Sequence, residues 1–111
     1  MKNSEIATAF KDGYEAKNSN ESFFVEVKNG VTMAFSYGYH FPICLKFEDG
    51  VLFNKNGYSN TTARHKNLIL SYIKDDLSDE DYKTTEELKE VVSQIRYSDI
   101  KSKAELIETK I

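Results

Sequence analysis

The sequence predicts an α+β fold, in which a four-stranded antiparallel meander follows an N-terminal helix and precedes about three C-terminal helices. Apolar residues alternate with a period of two between about residues 22 and 54, which is typical of strands. Two turn dipeptides, Asn29-Gly30 and Asp49-Gly50, divide this region into hairpins. From Thr61 onward the apolar period becomes that of a helix. The length of 111 residues predicts a single domain over residues 1–111.

The first elements are a short helix and a hairpin. Apolar residues at helical spacing predict a helix over about residues 3–11. Strands are predicted over residues 22–28 and 31–37, joined by the two-residue turn. The resulting register pairs Lys28 with Val31, Phe24 with Phe35 and Val25 with Ala34. Both faces of the hairpin are then apolar, so either helices cover both faces or a partner covers one of them.

The remaining elements are two strands and three helices. A third strand is predicted over residues 41–48 and a short fourth strand over residues 51–54. A helix is predicted from Thr61 to about Lys74, and a second one behind Thr84, whose spacing to an acid three residues later is that of a capping box. A last helix is predicted from Ser98 as its cap and from apolar positions spaced by three and four at Ile100, Ala104, Ile107 and Ile111.

The composition argues against several classes of function. The net charge is −3, whereas nonspecific binding to the nucleic-acid backbone needs a positively charged surface. One cysteine and two histidines supply no metal site of the usual spacing, and no glycine-rich phosphate loop is present. No apolar run reaches the roughly 20 residues of a membrane span. We therefore expect a cytoplasmic protein, monomeric or homodimeric, that binds no metal, cofactor or membrane and is not an enzyme.

The most distinctive stretch runs from Tyr58 to His65 and reads Tyr-Ser-Asn-Thr-Thr-Ala-Arg-His. Ser59 or Thr61 is expected to cap a helix here, since a side-chain oxygen satisfies the first free amides. Free amides at a helix start, together with nearby cations, also form anion sites. The residues of this candidate anion or nucleic-acid site are Tyr58, Thr61, Thr62, Arg64, His65 and Lys66.

His65 has two interpretations. It lies on the apolar face of its predicted helix, which favours a core histidine with one hydrogen-bonded nitrogen. The alternative is an enzyme in which His65 acts as a general base beside Thr61 or Thr62, about one helical turn away. No nucleophile of defined geometry accompanies it in the sequence, so the core histidine is preferred and no catalytic residue is assigned.

An acidic run lies between Asp75 and Glu90, where eight acids face two lysines. It is either a solvated linker and helix face, or a docking surface for a basic groove on another protein, where charge complementarity orients binding. Tyr37 and Tyr39 are expected to join this surface, because tyrosine is enriched in interface hot spots. The predicted partner-binding residues are Asp75, Asp76, Asp79, Glu80, Asp81, Tyr82, Glu86, Glu87, Tyr37 and Tyr39.

The seven tyrosines support a second hypothesis. Tyr37, Tyr39 and Tyr58 fall at predicted strand ends and turns, and exposed tyrosine rings stack bases in single-stranded nucleic-acid sites. Arg64 and Lys66 would supply the cations of such a site. The competing interpretation is that these rings lie at the edge of a small core and expose their hydroxyls to water. Direct binding of nucleic acid is the less favoured hypothesis, because the chain is acidic.

Two short motifs resemble those of a group of small bacteriophage-encoded proteins. Ser36-Tyr37-Gly38-Tyr39 ends a strand, and the stretch from Tyr58 to His65 forms a Tyr-Ser-x-Thr-Thr-x-x-His junction. The resemblance covers roughly residues 31–70, about a third of the chain. That group is uncharacterised in function, so the resemblance implies a context and no catalytic residues: an accessory protein of a phage or mobile element.

The preferred hypothesis combines this context with the acidic run. A phage or mobile-element accessory protein would bind and inhibit a bacterial host protein, as small anti-defence proteins such as anti-CRISPRs do. The acidic run and the exposed tyrosines would carry the contact. A small single-stranded nucleic-acid-binding protein is the alternative.

Overall fold

The computed structural model describes residues 1–106, and these form three helices and six strands in one sheet. The helices are α1 (Asn3–Asp12), α2 (Asn60–Ile73) and α3 (Thr85–Ser98). The strands are β1 (Ala16–Lys17), β2 (Phe23–Lys28), β3 (Val31–Ser36), β4 (Phe41–Phe47), β5 (Gly50–Asn54) and β6 (Tyr82–Lys83). Short 3₁₀ turns lie at Gly38–His40, Lys74–Asp76, Asp79–Asp81 and Lys103–Glu105.

The six strands are adjacent in the sheet in the order of the sequence, β1 to β6. Neighbours are antiparallel from β1 to β5, and β6 pairs with β5 in parallel. The predicted α+β class is confirmed, but the four-stranded meander is wrong because two-residue strands extend it at both edges. The last pair is parallel because α2 carries the chain back to the end of the sheet at which β5 begins.

The central hairpin has the predicted register. Lys28 pairs with Val31, Phe24 with Phe35 and Val25 with Ala34. Asn29 and Gly30 both have positive φ, 53° and 78°, as a two-residue turn matched to the strand twist requires.

Helices cover both faces of the sheet, which confirms one of the two predicted arrangements. One face packs against α1 and α2, through Ile6 and Phe10 of α1 and Ile69 and Ile73 of α2. The other face packs against α3, whose contacts with the sheet centre on β4 and β5. The core residues on the α3 side are Val31, Met33, Phe35, Leu45, Phe47, Leu52, Leu88, Val92, Ile95 and Ile100.

Both predicted helix starts are confirmed. The Ser59 hydroxyl accepts from the Thr62 amide at 3.1 Å, so Ser59 and not Thr61 is the cap of α2. Thr84 and Glu87 form a capping box at α3, in which the Thr84 amide donates to Glu87 Oε1 at 2.9 Å and the Glu87 amide donates to Thr84 Oγ1 at 3.2 Å.

The predicted last helix is wrong within the described residues. Ser98 is the final residue of α3, and Asp99 follows it with a left-handed φ of 54°. The chain then runs over the β4–β5 turn, where the amides of Lys103 and Ala104 donate to the Asp49 carboxylate at 2.7 and 3.1 Å. These tertiary bonds replace helical ones, and we call residues 99–106 the C-terminal strap. The predicted positions Ile107 and Ile111 lie outside the described residues.

The two ends of the sheet differ in chemistry. At the end where β3 finishes and α2 begins lie Tyr37 and Tyr58, which define the tyrosine end. At the other end α2 finishes and four exposed acids follow; Asp75, Asp76, Asp79 and Glu80 define the acidic end. The 14 residues of α2 separate the two ends by about 21 Å. No helix among residues 1–106 has the length and apolar character needed to cross a membrane.

Candidate functional site

The residues of the two short motifs meet at the tyrosine end in one chain of hydrogen bonds. The Ser59 hydroxyl donates to Thr62 Oγ1 at 3.1 Å, and Thr62 Oγ1 lies 2.9 Å from Ser36 Oγ. Ser36 Oγ also lies 2.9 Å from Nδ1 of His65. Ser36, Thr62 and His65 are each 0% exposed. This chain ties the end of β3 to the first two turns of α2, and it explains why a Ser-Tyr strand end accompanies the Thr-Thr-x-x-His junction.

Aromatic rings surround the imidazole of His65. Phe23 stacks on it with ring centroids 4.3 Å apart and planes 9° apart, and Tyr37 lies at 6.4 Å. Tyr37 in turn contacts Tyr58 at 5.9 Å. Tyr37 adopts φ 57° and ψ 52°, a left-handed conformation that is costly for a bulky side chain. This left-handed turn places the Tyr37 ring at the end of the sheet, next to Tyr58 and at a tilt to His65.

His65 is a core histidine, as predicted. Burial lowers the pKa of its imidazole, because the charged form loses its hydration. Its Nε2 atom is buried and has no hydrogen-bond partner among the described residues. A substrate therefore has no path to this imidazole in the folded chain, which argues against the hypothesis of a general base at His65.

The candidate anion or nucleic-acid residues divide into free and engaged groups. Tyr58 and Arg64 are exposed, and Thr61 is half-buried. The Thr62 hydroxyl is buried and bonded to Ser36 and Ser59, so the structure contradicts its role as an anion ligand. The Lys66 ammonium donates to the carbonyl of Asn56 at 2.8 Å, and partial burial lowers the pKa of its amine.

A shallow cavity of about 110 Å³ lies between this junction and α2. Tyr58 and Ser59 line one side, and Ala63, Lys66 and Asn67 line the other. The space is smaller than the few hundred cubic ångströms of a usual small-molecule site. It therefore suits at most a single small group.

Tyr39 lies apart from Tyr37, on the α3 face of the sheet. Its hydroxyl donates to Glu26 Oε1, and Arg96 stacks over its ring at 4.5 Å. Arg96 Nη2 is 2.5 Å from Glu26 Oε2, which closes the cluster. The hydrogen bond to the Glu26 carboxylate, more than burial, raises the pKa of Tyr39. Sequence reasoning missed Glu26 and Arg96, because the two partners are 70 residues apart and neither belongs to a motif.

The four acids of the acidic end are exposed, and none has a hydrogen-bond or ion-pair partner among residues 1–106. Asp75 and Asp76 follow directly on the C-terminus of α2, where the helix dipole already concentrates negative charge. Lys74 is the one base in the segment from residue 74 to residue 81. The carboxylates of Asp75 and Asp76 therefore oppose the local electrostatics of the fold.

Asp81 does not belong to this exposed set, which corrects its predicted role. It is 5% exposed and accepts from the Ser78 amide at 2.9 Å and from the Lys103 ammonium at 2.7 Å. Burial acts to raise the pKa of its carboxyl, but these hydrogen bonds prevail and hold that pKa below its usual value. Asp81 is a buried anchor for the C-terminal strap.

The other predicted partner-binding residues are scattered. Glu87 is engaged in the capping box of α3, so it too serves the fold. Glu86 is exposed and pairs with Lys89 at 3.5 Å, while Tyr82 is 38% exposed and rests edge-on against Phe53. Tyr37 and Tyr39 lie toward the other end of the sheet from the four acids. The predicted surface is thus not one surface in the folded molecule.

In the part of the chain that the structure describes, no three His, Cys, Asp or Glu side chains lie close enough together to hold a metal ion. Cys44 is buried in the sheet, and its burial raises the pKa of the thiol well above the usual value.

Comparison with known proteins gives a match to a protein family. A protein family of unknown function, DUF8033, matches residues 7–90. This stretch contains most of α1, the whole sheet, α2 and the start of α3, and hence both short motifs and the four acids. The C-terminal strap lies beyond it. No curated protein and no solved structure matches the chain.

Proposed function

The chain belongs to DUF8033, a family of unknown function, and we propose from its geometry that it is a binding protein whose acidic end docks on a basic surface of another protein. The proposed partner is a bacterial protein that the docking blocks. The single observation that carries the proposal is that four carboxylates stand exposed at one end of the molecule without a hydrogen-bond or ion-pair partner among the described residues.

The electrostatic position of these acids supports a functional reason for them. A carboxylate at a helix C-terminus is unfavourable, and a cation there is favourable, by about 0.3–1 kcal/mol at low ionic strength. Residues that break a local rule without a compensating contact are expected at functional sites. Asp75, Asp76, Asp79 and Glu80 have no such contact among the described residues. A partner carrying lysines or arginines would supply the missing compensation and would be steered to this end of the molecule.

The biological context of the proposal comes from the motif resemblance. Small phage-encoded proteins with the same Ser-Tyr and Tyr-Ser-x-Thr-Thr-x-x-His elements imply an accessory protein of a phage or mobile element. A nucleic-acid groove on a bacterial protein is a basic surface that an acidic end fits, and the acidic end would compete with nucleic acid for it. The form of inhibition that we propose is that of an anti-CRISPR: the chain binds a bacterial defence protein in the cytoplasm of the host cell and blocks it.

The test is capture of a bacterial protein by the tagged wild-type chain and by two triple variants. The variant D75N/D76N/E80Q removes three charges from the acidic end. The control D12N/E48Q/E90Q removes three exposed acids elsewhere and changes the net charge equally. We expect the first variant to lose the partner, the control to keep it, and capture by the wild type to weaken as salt rises. Equal capture by both variants would refute the proposal.

A second candidate function, binding of single-stranded nucleic acid, is favoured by the contact of Tyr37 with Tyr58 at the end of the sheet where α2 begins, and α2 carries the exposed Arg64 in its first turns. Two neighbouring rings and a cation are the elements of a base-stacking platform. Tyr39 is not part of this platform, since its ring lies on the α3 face. A mobility-shift assay with single-stranded oligonucleotides at low salt tests this function. If the chain binds single strands, R64A should weaken the binding, and K101A, which changes an exposed control residue, should leave it unchanged. The lack of any mobility shift would refute this second function.

A further inference from the structure

The α3 face of the sheet is only partly covered. α3 packs over the centre of the sheet, and the C-terminal strap lies over the β4–β5 turn. The opposite face has two helices, and α1 there covers β1 and β2. On the α3 face, β1 and β2 have no helix above them among the described residues. Two strands form a strip roughly 10 Å wide, which is the diameter of one helix.

This strip is the floor of a groove of about 620 Å³, which we call the β2 groove. Phe24 lies in its floor, Tyr39 forms the wall next to α3, and residues 15–17 and Glu21 form the other wall. The volume is within the range of established ligand sites.

Two aromatic side chains in the groove are held in place before any partner arrives. The Tyr39 ring is 51% exposed, yet Glu26 and Arg96 fix it, and Phe24 contacts it edge-on at 5.4 Å. Phe24 in turn stacks on Phe35 at 5.2 Å. An exposed ring that is already immobile loses little entropy on binding, which is a property of interface anchors.

The charges of the groove indicate the chemistry of its occupant. Its lining carries three carboxylates, Glu15, Glu21 and Glu26, and one ammonium, Lys17. Lys17 is paired with Glu21 at 3.0 Å, and Glu26 with Arg96, so Glu15 is the carboxylate without an ion-pair partner among the described residues. The groove therefore keeps one negative charge, that of Glu15, which the described residues do not compensate and which complements lysine or arginine.

The edge of the sheet is closed to an added strand. β1 has two residues, so its outer side offers a joining strand few backbone hydrogen bonds. Beyond β1, Glu15 Oε2 accepts from the Val27 amide at 3.1 Å, and Asn18 Oδ1 accepts from the Phe23 amide at 3.2 Å. A strand would find these donors of β2 occupied. A helix needs no backbone partners and matches the width of the strip.

We propose that the β2 groove binds an amphipathic helix of a partner protein, with apolar side chains on Phe24 and Tyr39 and lysine or arginine beside Glu15 and Glu21. The helix lies next to α3 and completes the second layer of helices on this face. This docking site is separate from the acidic end and goes beyond the function proposed above, because neither surface requires the other.

The experiment uses two synthetic 14-residue helical peptides as probes, one with leucine on one face and lysine on the other, and one with glutamate in place of lysine. Backbone amide shifts are followed by NMR on the full chain. We expect the lysine peptide to shift amides of residues 15–17, 24–26 and 38–39 in a saturable way, and the glutamate peptide to bind at least about tenfold more weakly.

Variants locate the binding. Tyr39→Ala should weaken the lysine peptide by about tenfold or more, as for a hot-spot residue, whereas Tyr97→Ala, which removes the most exposed tyrosine, should not. Should Tyr39→Ala fail to fold, Glu21→Lys on the exposed rim serves in its place, and it should shift preference toward the glutamate peptide. D75N/D76N/E80Q should leave peptide binding intact, so the two proposals fail independently. Equal affinity for both peptides, shifts outside the groove, or unchanged affinity in Tyr39→Ala and Glu21→Lys would overturn the proposal.

Discussion

Ser36 is the residue on which the tyrosine end depends. Its single buried hydroxyl is bonded to Thr62 of α2 and to the imidazole of His65. The Ser59 hydroxyl donates to Thr62. If each hydroxyl donates to the next one in the chain, Thr62 donates to Ser36, and Ser36 donates to Nδ1 of His65. The imidazole is then neutral, with its proton on Nε2. One serine at the end of β3 thus fixes the tautomer of a histidine on another element.

Removal of this hydroxyl should be costly. Ser36→Ala leaves the Thr62 hydroxyl and the His65 Nδ1 atom with one bond fewer inside the core, so we expect the free energy of unfolding to fall by about 1–3 kcal/mol in urea denaturation. Ser93→Ala, on the exposed side of α3, should change it by less than about 0.5 kcal/mol. A change at Ser36 no larger than at Ser93 would contradict the hydrogen-bond chain.

The burial of His65 should make the stability of the fold depend on pH. Its pKa is lower in the folded than in the unfolded chain, so below the ordinary histidine pKa of about 6.5 the unfolded chain binds a proton that the folded chain does not. Stability is therefore full above that pH and falls as the pH drops through about 6.5 toward the folded pKa. The stability that Asp49, Asp81 and Glu87 contribute is also lost in acid, because the fold lowers the pKa of each carboxyl. Their loss comes at lower pH, since the ordinary pKa of an aspartate or glutamate is about 4.

Urea denaturation at several pH values between about 7.5 and about 5 measures this effect. The unfolding midpoint of the wild type should decrease over that interval, and His65→Gln should show a flatter profile, since an amide does not titrate. His40→Gln, on the exposed turn after Tyr39, is the matched control and should keep the wild-type slope. Parallel profiles for the wild type and His65→Gln would show that His65 is not the titrating group.

At the scale of elements, the C-terminal strap is held by side chains of the sheet and its loops. Asp49 accepts from two strap amides, and Asp81 binds the Lys103 ammonium. The hydrogen bond from the Lys103 amide is the main cause of the lowered pKa of Asp49, so this carboxylate is charged wherever the strap is docked near neutral pH.

Asp49→Ala should therefore release the strap without unfolding the sheet. We expect faster hydrogen exchange at the amides of Lys103 and Ala104, and at those of the β4–β5 hairpin beneath, while α1 and β2 keep their protection. Glu48→Ala, the exposed neighbour, should exchange like the wild type. Uniform acceleration across the molecule would instead mean that the strap is part of the global fold.

The elements that sequence predicted well are those that local chemistry determines. The Asn-Gly turn sets the register of β2 and β3, and the caps at Ser59 and Thr84 depend on residues three apart. The two-residue strands β1 and β6 are too short for a period to exist, and they form because neighbours present an open edge. The last helix failed because Ile100 and Leu106 pack on the sheet, while Asp49, about fifty residues earlier, takes the amides that a helix would use.

The candidate sites follow the same rule. The capping and core roles of Ser59 and His65 were predictable, since each depends on its own helix. The acidic run looked like one surface because its members are adjacent in sequence; the fold takes Asp81 and Glu87 for its own contacts and leaves four acids free. The Tyr39 cluster was not predictable, because Glu26 and Arg96 meet only in the folded chain, where the long side chain of Arg96 extends from α3 to Glu26.

At the scale of the whole molecule, charge is distributed along the axis of α2 in an unusual way. Its first turns carry Arg64 and Lys66, no acid lies in its first turn, and Asp75 and Asp76 follow its end. These charges add to the helix dipole, whereas natural helices more often offset it. The molecule therefore carries a field directed from one end of the sheet to the other, which suits oriented docking.

This arrangement predicts a gain of stability on loss of charge. D75N/D76N should raise the free energy of unfolding by roughly 0.3 kcal/mol per residue at low ionic strength, and added salt should remove the gain because it screens exposed charges. E48Q/E90Q, whose two acids are exposed and lie away from any helix C-terminus, is the control of equal charge change, and chemical denaturation at two salt concentrations is the measurement. A loss of stability in D75N/D76N would mean that these acids serve the fold.

The short last strand has a consequence for solubility. β5 is almost wholly apolar, with Val51, Leu52 and Phe53 in sequence, and without β6 its outer edge would stand open to pairing with another chain. Tyr82 and Lys83 pair with Phe53 and Asn54 at the end of that edge, and in the sequence they follow β5 only after the whole of α2. During synthesis the hairpins can assemble while this edge is still bare. β6 thus protects part of the β5 edge against aggregation, and the chain acquires this protection late in synthesis, after the strands that need it.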